Sequence, residues 1–284
     1  MVKISAALDK AGYGEGLNGV AETPLQMPIE AQQSLTQSIP LSIVGQCKIQ
    51  EKFTGKWDER LFKSINEDIH TTEVFKALRS KILHPWEKGN TPQTIMVTSA
   101  IPKEGKSFVA ANLGVSLAQA MDKHVLLVDC DLRKPSLATM FGLENKAGLV
   151  NFLRDNTELS GLIMKTSMSK LSVLASGKPP VNPAELLGSS RMQSLVKELS
   201  QRYEDRIIIF DTPPMLVAAE SAVLAGYVDA LLVVVRHGTS GKVQIKKMID
   251  TIGPEKILGV VFNANTVNYM EKNILKGYGY YTHD

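Results

Sequence analysis

The sequence lacks the features that mark secreted, disulfide-linked and membrane-spanning proteins. Its 284 residues contain two cysteines, Cys47 and Cys130, which are too few for a disulfide framework and fit a reducing compartment. No apolar segment typical of a signal peptide lies near the N-terminus. Apolar runs such as 231–235 are far shorter than the ~20 residues that a membrane-spanning helix needs. We therefore expect a cytoplasmic protein whose membrane contact is peripheral or made through a partner.

The sequence also lacks a strong excess of charge of either sign. Lysine and arginine number 32 against 29 acidic residues, which gives a formal net charge of +3. This excess is too small to imply a nucleic-acid partner, and we expect none. Hydrophobic residues make up 44% of the chain and charged residues 21%, the balance of a globular protein that can bury a full core.

The N-terminal part of the chain divides into two segments. Residues 1–56 are rich in Gly, Gln, Ser and Pro without a sustained hydrophobic period, and this composition predicts a flexible arm. A docking segment for a partner is the alternative. Residues 57–92 are an N-terminal helical segment, in which the spacing of apolar residues predicts a helix over 71–83. Thr71 or Thr72 can cap this helix.

From residue 94 onward, predicted strands alternate with predicted helices. The strands are apolar on both faces and lie at 94–99, 124–129, 171–175, 206–211, 228–235 and 256–263. The helices lie near 106–121, 183–202 (a broken helix), 216–226 and 240–252. This alternation predicts an α/β domain over 93–268, with a doubly wound, mostly parallel sheet that helices cover on both faces. Ligands of such sheets bind beyond the carboxyl ends of the strands.

The segment 99–107 lies between the first of these strands and the first helix. A strand, a short loop ending in Gly-Lys-Ser and a helix describe a phosphate-binding loop, whose backbone amides and helix N-terminus cradle a polyphosphate. Lys106 would neutralise the β and γ oxygens, the Ser107 hydroxyl would bind Mg²⁺, and Gly105 allows phosphate to approach the backbone. Ala100 stands where the usual pattern has glycine. The predicted cofactor-binding residues are Ala100, Pro102, Lys103, Glu104, Gly105, Lys106, Ser107 and Phe108.

Acidic residues follow two further strands. Asp129 and Asp131 come after the second strand, and Asp211 after the fourth. Two carboxylates at this spacing can share a hard cation or divide into a metal ligand and a proton acceptor. Any one feature could be an ordinary turn, but three of them in one parallel sheet predict a site for a nucleotide and Mg²⁺. We predict that Cys130 only packs, because an acidic setting raises the pKa of a thiol.

Four of the seven tyrosines lie in the last stretch of the chain, residues 269–284. Glycines separate Tyr278, Tyr280 and Tyr281 from any packed element. Two interpretations stay open for this tail: an aromatic segment that packs onto the domain, or a flexible segment that enters another active site.

These motifs resemble those of the bacterial tyrosine kinases (BY-kinases) of exopolysaccharide and capsule synthesis, and most closely those of exosortase-associated tyrosine autokinases. Residues 99–107 are similar to the first Walker motif of that family, which tolerates Ala or Ser at the place of Ala100. Residues 129–133 match its D-x-D-x-R motif and residues 211–214 match its Walker B motif. The segment 182–187 resembles a recurring segment of the same fold, a P-loop NTPase of the MinD/ParA type.

The resemblance implies an ATP-dependent protein-tyrosine kinase that phosphorylates its own C-terminal tyrosines in trans. The residues that would act in catalysis are Lys106, Asp129, Asp131 and Arg133. The residues that would hold the metal are Ser107, Asp129 and Asp211. The implied phosphosites are Tyr278, Tyr280 and Tyr281.

The resemblance also implies a ring-like homo-oligomer. Glu73, Lys76 and Arg79 fall on the family's E-x-x-R-x-x-R oligomerisation motif, with lysine in place of the first arginine. Lysine lacks the bidentate fork of a guanidinium, so the interface would be weaker or built differently. A solvated charged helix face is the alternative for this pattern.

Further implications concern partners and rival functions. A membrane-anchored polysaccharide chain-length regulator would activate the kinase at the inner membrane, and a tyrosine phosphatase would oppose it. One rival is a switch ATPase of the cell-division or partitioning type, but such ATPases carry a second lysine five positions before the loop lysine, where this chain has Ile101. The other rival is a nucleotide-binding scaffold without kinase activity. Asn263 and Asn265 are candidates for adenine contacts.

Overall fold

A seven-stranded sheet forms the centre of the computed structural model, which describes residues 57–84, 91–202 and 205–264. The strands are β1 (Thr94–Ser99), β2 (His124–Asp129), β3 (Ile163–Lys165), β4 (Leu171–Leu174), β5 (Arg206–Asp211), β6 (Ala230–Arg236) and β7 (Ile257–Asn263). Their order across the sheet is β3-β4-β2-β5-β1-β6-β7. All neighbours pair in parallel except β3 and β4, which are antiparallel. The prediction of a mostly parallel, doubly wound sheet is therefore confirmed.

Helices cover both faces of this sheet. Those in the described part of the chain are α1 (Glu59–Asn66), α2 (Ile69–Leu83), α3 (Lys106–Ala118), α4 (Leu137–Met140), α5 (Leu149–Asp155), α6 (Pro183–Leu187), α7 (Ser190–Arg202), α8 (Ala219–Ala225) and α9 (Lys242–Ile252). One apolar core contains residues of α5 to α9, and the other contains residues of α1 to α4. Successive side chains of a strand point into opposite cores, which is why the central strands are apolar throughout.

The element boundaries agree with the sequence in most places. The predicted break within 183–202 is confirmed, since α6 ends before Gly188 and α7 begins at Ser190. β6 begins two residues later than predicted because the Asp229 carboxylate accepts hydrogen bonds from the N–H groups of Gln93, just before β1, and of Thr94, its first residue, at 3.0 and 2.9 Å. The Asp229 side chain therefore binds the start of β1, and Asp229 precedes the first residue of β6.

Four short elements were not predicted: α1, α4, α5 and β3. They contain three to eight residues each. Segments of this length do not repeat a hydrophobic period often enough to be recognised in a sequence. β3 in addition owes its strand conformation to antiparallel pairing with β4, a contact that local sequence does not encode.

The N-terminus of α2 lies earlier than the sequence suggested. Its N-cap is Asp68, whose Oδ1 accepts a hydrogen bond from the Thr71 backbone N–H at 3.0 Å. The Thr72 hydroxyl instead donates to the carbonyl groups of Ser64 and Ile65 at the end of α1, both at 3.2 Å. The prediction that Thr71 or Thr72 caps the helix is therefore wrong, because the helix begins one residue after an acidic N-cap.

Helices α1 and α2 pack along α3, the helix that follows the phosphate-binding loop. The Ser64 hydroxyl donates to Asn112 Oδ1 at 2.7 Å, and the Ser116 hydroxyl donates to the Phe75 carbonyl at 3.1 Å. Arg79 Nη1 donates to the Ser116 carbonyl at 2.7 Å, at the carboxyl end of α3. The N-terminal helical segment is thus joined by polar contacts to the helix that carries Lys106.

Several predictions fall on residues that the structure does not describe. These are the arm 1–56, Asn265, and the tail with its three proposed phosphosites. Within the described ranges, the helices are all too short or too polar to cross a membrane.

Replacing Asp68 by alanine tests the observed N-cap of α2. The Thr71 N–H would lose its acceptor, and we expect the free energy of unfolding to fall by about 1 kcal/mol, measured by urea denaturation. Glu67→Ala, which removes the adjacent acid, is the matched control and should have a smaller effect. An Asp68→Ala variant as stable as the parent, with Thr71→Val destabilised instead, would contradict the assignment.

Candidate active site

The phosphate-binding loop connects β1 to α3 at the carboxyl edge of the sheet. Gly105, the N-cap of α3, has φ +90°, and a Cβ atom at this position would lie 2.1 Å from Asn263 Nδ2. Both the backbone conformation and the close contact therefore require glycine. No side chain caps the first turn of α3. Its backbone N–H groups are left to bind an anion at this helix N-terminus.

Glu104 holds the loop from within. The side chain is fully buried, and its Oε2 accepts a hydrogen bond from the Ile101 N–H at 3.0 Å. Its Oε1 accepts from the Ser240 hydroxyl at 2.6 Å and from the Arg236 N–H at 3.2 Å. The Asn263 amide donates to the Glu104 carbonyl at 2.7 Å. These contacts tie the loop to the ends of β6 and β7, so the Glu104 side chain supports the loop instead of facing a ligand.

Ala100, the departure from the usual glycine, is also buried. Its carbonyl accepts a hydrogen bond from the Leu216 N–H at 3.3 Å. Its φ does not lie in the left-handed region, which among the non-glycine residues described is found at Lys103, Asn156 and Ala264. The loop therefore does not need glycine at position 100, and a methyl group there packs into the core.

Lys106 and Asp131 form a buried ion pair. Lys106 Nζ lies 2.8 Å from Asp131 Oδ2, and the two side chains are 14% and 7% exposed. Burial alone would lower the pKa of the Lys106 ammonium, but the charges of Asp211 and Asp131 outweigh it and raise that pKa above its ordinary value. The lysine of the loop is therefore charged and is held by a carboxylate of the D-x-D-x-R motif.

Asp129 organises the backbone around the end of β2. Its Oδ2 accepts from the Ser136 and Leu137 N–H groups at 2.9 and 3.0 Å, and its Oδ1 accepts from the Asp131 N–H at 3.2 Å. Burial and the nearby Asp211 charge raise the pKa of Asp129 well above its ordinary value, and the backbone hydrogen bonds oppose this rise. Asp129 thus fixes the turn that carries Asp131 and begins α4.

Asp211 lies beside Asp129 in the paired ends of β5 and β2. It is fully buried, and within the described part of the chain neither of its oxygens accepts a hydrogen bond of ordinary geometry. Burial raises its pKa to about 6, although the Lys106 charge and the Ser107 hydroxyl lower it. A buried carboxylate without a partner is costly, so this site favours a cation.

The residues fit Mg²⁺ in the way that a nucleotide site requires. Ser107 and Asp211 supply oxygen atoms next to the loop that would hold the phosphates. No group of three or more His, Cys, Asp and Glu residues in the described ranges is arranged to hold a metal alone. Mg²⁺ commonly binds through one or two carboxylates together with phosphate oxygens and water. The orphaned oxygens of Asp211 are therefore the strongest sign of a metal position.

Cys130 and Arg133, the remaining candidate residues of the segment 129–133, differ in their surroundings. Cys130 is fully buried, and burial together with the charge of Asp129 raises the pKa of its thiol well above the ordinary value. This agrees with a packing role. Arg133 Nε donates to Glu220 Oε1 at 2.9 Å, an acidic neighbour that the sequence did not reveal.

A cleft of about 440 Å³ opens beside the loop. Besides the loop, three groups of residues line this cleft. They are Phe108 of α3, then Arg60 of α1 with Ser136 and Met140, and finally Arg236 and Asn263 at the ends of β6 and β7. A hydrogen bond of 2.9 Å from the Asp58 N–H to the Met140 carbonyl brings α1 to this cleft. Sequence analysis missed Arg60, Ser136, Met140 and Arg236 because tertiary contacts alone bring them to the loop.

The residues of the oligomerisation motif lie away from this cleft on α2. Lys76 Nζ is 2.7 Å from Glu73 Oε1, and both side chains are about 40% exposed, at 43% and 39%. Arg79 instead binds the Ser116 carbonyl of the same chain. Their role in an interface stays a prediction.

Replacing Asp211 by asparagine tests the cost of the buried carboxylate. Because its pKa is about 6 in the folded protein against an ordinary value of 3.8, the folded state binds more protons between these values. This group therefore lowers the free energy of unfolding as the pH rises through that window. Without nucleotide, Asp211→Asn should be more stable than the parent above pH ~6, by up to about 3 kcal/mol, and gain nothing near pH ~4.

Chemical denaturation across this pH range would measure the difference. Asp250→Asn, which changes an exposed aspartate on α9, is the control and should follow the parent curve. A variant that is less stable than the parent at neutral pH would contradict the assignment of Asp211 as an unpaired buried charge.

Replacing Gly105 by alanine tests the geometry of the loop. The left-handed backbone alone should cost about 1–2 kcal/mol, and the contact with Asn263 should displace the loop and remove nucleotide binding. Thermal unfolding with and without Mg-ATP would report both effects. Gly161→Ala is the matched control, because nothing lies within 4 Å of its added Cβ and its φ is not in the left-handed region. Ligand-induced stabilisation that survives in Gly105→Ala would refute this geometry.

Comparisons with known proteins show the family to which the chain belongs. Residues 94–257 match the family described as AAA domain (AAA_31). The chain is 39% identical over 221 residues to the tyrosine-protein kinase YwqD of Bacillus subtilis, an alignment that covers 77% of this chain and 87% of YwqD. It is 32% identical over 252 residues to the tyrosine-protein kinase ptk of Acinetobacter johnsonii, which covers 89% of this chain but 32% of ptk.

The fold is also similar to solved structures of this kind. The chimerical protein CapA2B2 superposes with a TM-score of 0.66 at 32% sequence identity, over 76% of this chain and 95% of that one. The matched region contains the phosphate-binding loop and the three aspartates, and the fold is that of nucleotide-binding P-loop proteins. By its sequence and its fold, the chain belongs to the bacterial tyrosine kinases.

Proposed function

We propose that this protein is an ATP-dependent protein-tyrosine kinase that phosphorylates Tyr278, Tyr280 and Tyr281 of another copy of itself. Through this reaction it regulates the synthesis and export of an exopolysaccharide. The observation that carries the proposal is the pair of Asp131 and Lys106, 2.8 Å apart. A carboxylate in contact with the phosphate-binding lysine is placed to act on a hydroxyl group that approaches the terminal phosphate.

The loop supplies the phosphate site. The backbone N–H groups at the start of α3 and the Lys106 ammonium bind the phosphate oxygens of ATP. To do so, Lys106 gives up part of its contact with Asp131, and this exchange frees the carboxylate for the acceptor. The transition state of phosphoryl transfer is loose, so positioning and charge neutralisation by these groups carry most of the catalysis.

Ser107 and Asp211 would hold Mg²⁺, and Asp129 supports this position from the neighbouring strand end. When bound, Mg²⁺ neutralises negative charge on the β- and γ-phosphates. The three hydrogen bonds that Asp129 accepts from backbone groups hold the turn of residues 129–137 in place.

Asp131 is the better candidate for the group that orients the tyrosine hydroxyl or accepts its proton. The oxygens of Asp129 are engaged by backbone N–H groups, whereas Asp131 Oδ2 faces the Lys106 ammonium. Asp131 Oδ1 accepts a hydrogen bond from the Lys134 N–H at 3.1 Å, which fixes the orientation of the carboxylate. The phenolic oxygen would lose its proton to Asp131 Oδ2 as it attacks the γ-phosphorus of ATP. The bond from this phosphorus to the bridging oxygen would break, and ADP would leave.

The same proposal includes a ring-like homo-oligomer that presents the tail of one subunit to the site of the next. Glu73, Lys76 and Arg79 would form part of the interface between subunits. A membrane-anchored chain-length regulator would activate the kinase and bring it to the inner membrane, and a tyrosine phosphatase would reset it. These partners follow from the resemblance of the motifs to the family.

Mass spectrometry after incubation with Mg-ATP tests the kinase assignment. We expect phosphate on the tail tyrosines of the parent protein and none on Lys106→Met, because the variant lacks the charge that holds the phosphates. Release of ADP with an unmodified tail would instead favour a switch ATPase. The absence of both products would favour a nucleotide-binding scaffold.

A mixing experiment tests transfer between subunits. A variant with Tyr278, Tyr280 and Tyr281 changed to phenylalanine keeps an intact site, whereas Lys106→Met keeps an intact tail. Neither should become labelled alone, but the Lys106→Met tail should be labelled when the two are combined. If the two variants are dissociated and reassembled so that mixed oligomers form, an unlabelled Lys106→Met tail would contradict transfer in trans.

A further inference from the structure

Glu220 is a buried carboxylate that belongs to none of the recognised motifs. It lies in the first turn of α8, and its side chain is 1% exposed. Its Oε1 accepts a hydrogen bond from Arg133 Nε at 2.9 Å. Arg133, the last residue of the D-x-D-x-R motif, is 52% exposed. A buried acid is therefore paired with a half-exposed arginine at the edge of the active site.

The pair leaves the Arg133 side chain half-exposed to solvent. Glu220 accepts a hydrogen bond from Nε of Arg133. Within the ranges that the structure covers, the two terminal nitrogens of Arg133 make no hydrogen bond. The hydrogen bond and charge of Glu220 raise the pKa of Arg133 above its ordinary value, and Asp131 adds to this rise. Arginine binds phosphate with two parallel N–H donors, and these are the donors that remain available.

Hydrogen bonds join the start of α8, which carries Glu220, to the segment that follows Asp211. The hydroxyl of the next residue, Ser221, donates to the Pro213 carbonyl at 2.8 Å, two residues after Asp211. The Thr98 hydroxyl of β1 donates to the same carbonyl at 3.3 Å. The position of the Arg133 side chain is therefore fixed relative to the metal-binding carboxylate, even though Arg133 lies on a turn.

Arg133 lies beside the reacting groups but outside the nucleotide cleft. It is two residues from Asp131, which contacts Lys106, and it is not among the described residues that line the cleft. An anion that binds Arg133 would therefore lie outside the nucleotide cleft and near the charge of Asp131.

We propose that Arg133 and Glu220 form a phosphoryl-binding subsite on the acceptor side of Asp131. Its ligand is the phosphate of a phosphotyrosyl peptide, the group present on the tail after transfer. Arg133 binds the phosphate, and Glu220 is a positioning residue that acts through Arg133. The identity of the ligand rests on the proposed kinase function, whereas the phosphoryl-binding property does not.

Calorimetric titration in the absence of nucleotide tests this subsite. The protein is the full chain with the three tail tyrosines changed to phenylalanine, so that it cannot modify itself. The ligands are a peptide of residues 275–284 phosphorylated on Tyr280 and the same peptide without phosphate. We expect Glu220→Ala to weaken binding of the phosphopeptide by about tenfold, the scale of one charge-assisted hydrogen bond, and to leave the other peptide unaffected.

Two further variants separate positioning from electrostatics. Glu220→Gln keeps a neutral acceptor for Arg133 Nε, so its affinity should lie between those of the parent and Glu220→Ala. If Glu220 acted only through its charge, both variants would bind the phosphopeptide more tightly, because a negative charge is removed. Arg133→Lys should also weaken binding, and combining it with Glu220→Ala should add no further loss. Additive losses would overturn the positioning role.

A matched control and a nucleotide titration complete the test. Asp155→Asn weakens an exposed arginine–carboxylate pair with Arg154 on α5, away from the site, and should change nothing. If Glu220→Ala weakens a non-hydrolysable ATP analogue but neither ADP nor the phosphopeptide, the subsite serves the γ-phosphate and the acceptor assignment is overturned. Unchanged affinity for all ligands, in a variant whose melting temperature matches the parent, refutes the subsite.

This test and the kinase assay can fail separately. Selective phosphopeptide binding through Arg133 in a protein that makes no phosphotyrosine would leave the subsite standing and reject the proposed kinase function. Phosphotyrosine formation with no effect of the Arg133 and Glu220 variants on phosphopeptide affinity would support the kinase function and reject the subsite.

Discussion

Three buried carboxylates share one buried ammonium group at the carboxyl edge of the sheet, and this imbalance of charge governs the site. Asp129 is satisfied by backbone N–H groups, and Asp131 by Lys106. Asp211 accepts no hydrogen bond of ordinary geometry from the described residues, and burial raises its pKa to about 6. Parallel pairing of β2 and β5 brings Asp129 and Asp211 opposite each other, so the sheet itself creates the unfavourable concentration of negative charge. The site is therefore built for a cation and for the ligand that accompanies it.

The strand ends of this sheet were readable from the sequence, because buried parallel strands give continuous apolar runs that stop at a polar residue. β1, β2 and β5 have the predicted boundaries, and each ends beside a residue of the site. What the sequence could not supply are the contacts between distant residues. Glu220 is 87 positions from Arg133, and Ser240 is 136 positions from Glu104. No local period or spacing connects such pairs, and the fold alone brings them together.

The cap of α2 was missed for a different physical reason. Thr71, Thr72 and Asp68 are all good N-cap residues by type, so local preference did not decide among them. Packing decided, since the Thr72 hydroxyl is used by the carbonyl groups that end α1. Arg79 was assigned from its motif to an interface, which stays a prediction. In this chain its guanidinium binds the carboxyl end of α3, where a cation is favoured by the helix dipole. Helix α3 thus has the phosphate-binding loop at one end and a residue of the oligomerisation motif at the other.

Asn263, the last residue of β7, binds the phosphate-binding loop. Its amide nitrogen binds the Glu104 carbonyl at 2.7 Å, and its Oδ1 accepts a hydrogen bond from the N–H of Ala264 at 2.9 Å. One side chain therefore joins the phosphate-binding loop to the point where the chain leaves β7 for the tyrosine segment. A displacement of the backbone at Ala264 would therefore move the side chain that holds the Glu104 carbonyl. The segment proposed as the substrate therefore begins next to a side chain that holds the phosphate-binding loop.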